Sequence, residues 1–188
     1  MIRLGILGST RGSMMLKVIE AIKQKQLAAQ IQMVISNKSE ALILKHAELN
    51  ALPNQFVDSR GLTRDEYDLK ISTLLRAHRV DLILLIGYMR ILSAEFVDTW
   101  KNKIINVHPS LLPAFAGKMD LEVHQAVLAA GMTETGCTVH YVTAEVDAGP
   151  IIMQKKCFVS PIDTPQQLKE RVQQLESEAL IEVIRKLS

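Results

Sequence analysis

The chain has 188 residues, and its 22 Lys and Arg against 20 Asp and Glu leave a formal net charge of +2. Apolar residues make up 48% and charged ones 22%, a globular balance that excludes a disordered chain and, at this charge, argues against a general nucleic-acid binder. No stretch approaches the roughly 18 unbroken apolar residues of a membrane span, and two cysteines cannot build a disulfide framework, so a soluble protein of a reducing compartment, the cytoplasm, is expected.

Leu4 to Leu7 reads as a first strand, and Met1 to Leu4 runs into it without a signal-peptide layout. A helix over Met14 to Lys25 follows, then a strand over Ile31 to Ile35 ending at Ser36-Asn37, and a helix over Glu40 to Leu49. Phe56-Val57 is a weak third strand, and Arg64 to Arg79 is helical. Leu82 to Ile86 is an unbroken aliphatic run, as in a strand covered on both faces. Ile104 to Val107 is a further strand and Leu121 to Ala130 a further helix. Gly136 to Val142 and Pro150 to Val159 read as two late strands, antiparallel to each other. The last helix has Thr164 as N-cap, Pro165 at its first position and Gln167 to close a capping box, with Leu168, Val172, Leu175, Ala179 and Val183 as its apolar stripe. Strand–helix alternation over the first half implies right-handed βαβ units. The expected fold is α/β: an open doubly wound, mostly parallel sheet with a late antiparallel hairpin, in a single domain over 1–188.

Gly8-Ser9-Thr10-Arg11-Gly12-Ser13 links the first strand to the first helix. Glycines let backbone N–H groups approach an anion, and a helix N-terminus favours negative charge. The loop matches neither a G-x-G-x-x-G dinucleotide fingerprint nor a P-loop, and a tight turn would equally explain it. In Asn106-Val107-His108-Pro109-Ser110-Leu111-Leu112-Pro113, residues two apart on a strand share a face, so Asn106 and His108 point the same way. Pro109 ends that strand, and in open α/β sheets ligands bind outside the C-terminal strand ends. The turn Glu145 to Pro150 holds Asp147, which beside His108 would raise that histidine's pKa. Glu176 falls at the edge of the last helix's stripe, flanked by Gln173; it either reaches solvent or contacts a ligand. Met89-Arg90-Ile91-Leu92 is either a strand end and helix start or an apolar slot whose backbone reads a flat ring. His46 and His78 lie in helical segments, and no metal-ligand spacing occurs.

Together these residues resemble the folate-dependent phosphoribosylglycinamide formyltransferase family over nearly the whole chain; the block from Asn106 to Pro113 resembles formyltetrahydrofolate-using enzymes as a group, and the short chain with the pair Gln173 and Glu176 points to this member. The resemblance implies formyl transfer from 10-formyltetrahydrofolate, a co-substrate, to a primary amine, with no metal. It implies a catalytic set of Asn106, His108 and Asp147. Gly12, Ser13 and Met14 would cradle a phosphate, and Gln173 and Glu176 would hold the ribosyl-glycinamide. Arg64, Met89, Arg90, Ile91, Leu92, Asn106 and the loop Thr143, Ala144, Glu145, Val146 and Asp147 would receive the folate. Three features depart from the family. Met14 stands where Asn is usual, the segment Gly117 to His124 is longer than its counterpart, and the chain ends soon after the last helix. A formyltetrahydrofolate hydrolase, or a formyltransferase acting on another small amine, is the alternative. The expected partners are small molecules, not nucleic acid or membrane, and the chain is expected as a monomer or homodimer.

Overall fold

The computed structural model describes residues 1–188. Its elements in chain order are β1 (Ile2–Leu7), α1 (Ser13–Lys23), β2 (Ala29–Ser36), α2 (Leu42–Leu49), β3 (Asn54–Phe56), α3 (Arg64–Ala77), β4 (Leu82–Leu85), α4 (Ala94–Thr99), β5 (Ile104–His108), α5 (Leu121–Ala129), β6 (Glu134–Tyr141), β7 (Ile151–Phe158) and α6 (Pro165–Leu187). The strand order is β3-β2-β1-β4-β5-β6-β7. The chain divides into two compact units, Met1–Ile105 with Leu187–Ser188, and Asn106–Lys186, so that β5 begins in the first and ends in the second.

In the first unit β1 pairs parallel with β2 on one side and β4 on the other, and β2 pairs parallel with β3. Leu4, Ile6, Leu7, Val34, Ile35 and Ile83 are wholly buried, and in β4 burial on both faces is why the strand reads as an unbroken aliphatic run. The chain steps outward from β1 to β3, then returns to place β4 on the other side of β1. That reversal opens a crevice beyond the C-terminal ends of β1 and β4. α3 starts with a capping box in which Thr63 accepts from the Glu66 N–H while the Glu66 side chain accepts from the Thr63 N–H.

Sequence patterning marks α4 only through the helix-start reading of Met89 to Leu92, and gives it no extent. It is six residues long, too short to show a helical period, and starts where Ser93 accepts from the Phe96 N–H. Nor do α1 and α3 run as far as their patterns imply. They stop at Lys23 and Ala77, and shortly afterwards Lys25 (φ 58°) and Arg79 (φ 53°) take the left-handed conformation that glycine usually supplies and that their sequence does not signal.

In the second unit β6 and β7 form the antiparallel pair, in register from Glu134 opposite Phe158 to His140 opposite Ile151, with a shift between Val139 and His140. β6 is buried from Thr135 to His140, while β7 is largely half-buried or exposed. The capping box at Thr164 and Gln167 is present. The stripe of α6 differs from the expected one: its buried residues are Leu168, Val172, Glu176, Ala179, Leu180, Val183 and Ile184, and Leu175 is only half-buried. No helix is long and apolar enough to cross a membrane.

Candidate functional site

β5 carries Asn106 and His108 two residues apart. His108 is 4% exposed, with Nδ1 3.2 Å from Asp147 Oδ2 and Nε2 3.2 Å from the Phe115 carbonyl oxygen. Both ring nitrogens thus face acceptors, and only the doubly protonated ring satisfies both. Asp147 and the Phe115 carbonyl draw the pKa of His108 upward, as expected for a carboxylate neighbour, but burial outweighs them and the net shift is downward. Asp147 has φ 53° and also accepts from the Gly117 N–H at 2.9 Å, tying the turn after β6 to the segment that precedes α5.

A residue that sequence reasoning missed completes this group. His140 on β6 is 2% exposed, and its Nδ1 lies 2.9 Å from the Tyr141 carbonyl oxygen. A carbonyl cannot donate, so Nδ1 carries the proton and a neutral ring presents a lone pair at Nε2. That nitrogen faces Asn106 Nδ2 at 3.3 Å and Asp147 Oδ1 at 3.7 Å. The contact orients the amide, with one Asn106 N–H pointing at His140. The available signal was a histidine two residues from Thr138 on the same buried strand face. Gly149 matters for the same reason, because a Cβ there would overlap the Tyr141 carbonyl oxygen that holds His140.

Thr138 braces the stretch after β5. Its hydroxyl donates to the Ser110 carbonyl at 2.7 Å and accepts from the Leu112 N–H at 3.0 Å and from Gln154 Nε2 at 2.9 Å. The Leu112–Pro113 peptide is cis. In the loop after β6, Ala144, Glu145 and Val146 are exposed, and Thr143 is half-buried with its hydroxyl donating to the Glu145 carbonyl at 3.1 Å.

On α6 Glu176 takes the centre of the buried stripe rather than its edge, at 8% exposure, while Gln173 is exposed. Burial pushes the Glu176 carboxyl up to about 8; Lys169 pulls against that shift and Asp120 adds to it. Lys169 Nζ pairs with Asp120 Oδ1 at 2.5 Å. His124, 1% exposed, is pushed down to about 4 by burial and by Lys169, and its Nδ1 has no hydrogen-bond partner. Asp120 and His124 belong to the segment that departs from the family pattern.

The remaining candidates lie in the first unit. Gly12 precedes α1 with φ 71° and supplies no side-chain cap, so the first-turn N–H groups of the helix have no capping partner. A Cβ on Gly12 would overlap Ile43, so only glycine fits. Ser13 is exposed and Met14 half-buried. Arg64 is exposed at the first position of α3. After β4, Met89 and Ile91 are exposed, Leu92 is buried, and the Arg90 guanidinium stacks 4.4 Å above the Tyr67 ring. The Met89 N–H bonds the Ser9 hydroxyl.

The Formyl transferase family model matches residues 2–184. The chain is 36% identical to phosphoribosylglycinamide formyltransferase of Haemophilus influenzae, over 93% of this chain and 81% of that protein. It is 41% identical to the trifunctional purine biosynthetic protein adenosine-3 of Gallus gallus over 95% of this chain, but spans only 18% of that longer protein. In structure it is similar to the phosphoribosylglycinamide formyltransferase of Coxiella burnetii, with a TM-score of 0.92 and 38% identity over 98% of this chain and 85% of that one. Those matches meet the resemblance read from the residues, and the family model matches residues of both units. The chain belongs to the formyl transferase family.

Proposed function

We propose that the chain transfers a formyl group from 10-formyltetrahydrofolate to the primary amine of 5′-phosphoribosylglycinamide, with residues 1–188 working as one formyltransferase domain. The observation that carries the reading is the group of buried His108 with half-buried Asn106 and Asp147, in which Asn106 is oriented by His140. The amine attacks the formyl carbon, a tetrahedral oxyanion forms, and the bond from that carbon to N10 of the folate breaks. The free Asn106 N–H and protonated His108 donate to the oxyanion. His108 rests with its pKa lowered by burial. The developing negative charge favours its protonated form, and Asp147 stabilises the imidazolium. To donate from Nε2, His108 must exchange the Phe115 carbonyl for the oxyanion. Asp147, directly or through water, passes the proton lost by the amine toward the leaving nitrogen.

The uncapped start of α1 suits a phosphate, held by backbone N–H groups of Gly12, Ser13 and Met14. Gln173 and Glu176 would meet the ribosyl-glycinamide, with Glu176 protonated at neutral pH and able to donate as well as accept. Arg64, the Met89 to Leu92 backbone and the loop Thr143 to Asp147 would receive the folate. The protein would act on these small molecules in the cytoplasm, as a monomer or homodimer, without nucleic acid or a metal. Folate release from 10-formyltetrahydrofolate, followed with and without the ribonucleotide, tests the reading. Release that depends on the ribonucleotide supports it, and equal release without an acceptor makes the protein a hydrolase.

A further inference from the structure

Ser9 follows β1 and is 4% exposed. Its hydroxyl donates to Asn37 Oδ1 at 2.6 Å and accepts from the Met89 N–H at 3.0 Å. Asn37 follows β2 and Met89 follows β4, so one hydroxyl joins the C-terminal ends of three adjacent parallel strands. These ends flank the crevice where the strand order reverses. Backbone contacts bring the same segments together: the Ser9 N–H donates to the Gly87 carbonyl at 3.0 Å, and the Ile43 N–H donates to the Thr10 carbonyl at 3.1 Å. Gly87 makes the approach possible, because a Cβ there would overlap Thr10 Oγ1.

A hydroxyl has one hydrogen to donate. With that hydrogen spent on Asn37, the oxygen lone pairs are what the Met89 N–H meets. No methyl group can replace either contact. We propose that Ser9 is a positioning residue that locks the loop entering α1 to the Gly87–Leu92 segment, so that the two substrates meet loops held in one geometry. The proposal rests on the assignment of the first loop to the ribonucleotide and the second to the folate. Its role is to act through the two loops, not by contact with either ligand.

The test uses Ser9→Ala and Asn37→Ala in the full chain. Leaving Met89 N–H and Asn37 Oδ1 unpaired should raise the KM for both substrates roughly fivefold or more in Ser9→Ala, with kcat within about twofold. Asn37→Ala keeps the Met89 contact and should give a smaller rise in the same direction; it carries the test if Ser9→Ala does not fold. Amide hydrogen exchange at Met89 in the unliganded protein should speed up about tenfold or more in Ser9→Ala. A lowered Tm with both KM values unchanged, or a Met89 amide as protected as in the wild type, overturns the proposal. If the wild type makes no formylated product, the assigned function falls, and the exchange result alone decides whether Ser9 locks the two segments.

Discussion

The two ends of the proposed reaction are built from different materials. Around His108 the working groups are side chains: an imidazole, a carboxylate, an amide and a second imidazole, the two rings buried, the other two half-buried, and the set linked in a chain of contacts that backbone groups brace. At the start of α1 the groups on offer are backbone N–H groups left uncapped behind Gly12. A side-chain network fails when one member is removed, because its partners stay buried and unpaired. A backbone cradle tolerates side-chain change and fails only when the chain path moves. On the proposed assignment of this loop, that difference would let Met14 stand in place of the Asn that the family resemblance implies.

The largest effect should therefore come from the side-chain end. His108→Ala should lower kcat by about 10² or more, the usual weight of a lost oxyanion donor, without a comparable change in either KM. Steady-state kinetics with both substrates varied checks this.

Gly149→Ala should come next. Its methyl group displaces the Tyr141 carbonyl that holds His140, which frees the Asn106 amide to turn. A fall in kcat of roughly tenfold is expected, smaller than deletion of a donor because the amide is misplaced rather than lost. An unchanged kcat would separate His140 from the catalytic group.

Glu176 sharpens the comparison, because it is a side chain assigned to binding. Glu176→Gln should weaken ribonucleotide binding about 5-fold to 150-fold by calorimetry, the range for leaving a polar partner unmatched, and leave folate binding nearly unchanged. The same variant reports on stability. Burial holds the Glu176 carboxyl near 8, above its ordinary value of 4.5. The unfolded chain therefore releases this proton first as pH rises, and the carboxyl's contribution to stability is whole below 4.5 and lost on the way to 8. Gln removes that loss, so the variant should gain Tm over the wild type at pH 8 and little at pH 4.5. A Tm difference independent of pH would mean that the carboxyl is not buried as described.

The smallest effect belongs to the backbone end. Met14→Asn should lower the KM for the ribonucleotide only a few-fold, since one neutral hydrogen bond contributes about 1 kcal/mol, and should leave the KM for the folate alone. A change confined to the folate would reassign the loop.

What the sequence disclosed follows the same division. An unbroken aliphatic run marked β4 because both faces of that strand are buried, and Asn106 and His108 were legible because a period of two places them on one face. Thr164, Pro165 and Gln167 announced α6 through capping chemistry that is local in sequence. His140 stayed hidden because its importance lies in contacts 34 residues away at Asn106 and across the turn at Asp147, which no local pattern encodes. Glu176 was misplaced to the stripe edge because Leu175 looks like the better core residue, whereas the helix turns Leu180 and Ile184 inward instead. The direction of the His108 shift also required the fold, since a neighbouring carboxylate can be guessed from a motif and the depth of burial cannot.

The central claim is that His108 and Asp147 act as one unit in formyl transfer. Single-turnover rates for the wild type, His108→Ala, Asp147→Asn and the double variant, with the ribonucleotide and 10-formyltetrahydrofolate both saturating, test it most directly. The account predicts that each single change slows transfer about 10² or more and that the double variant is little slower than the poorer single. Losses that multiply in a folded double variant would contradict it.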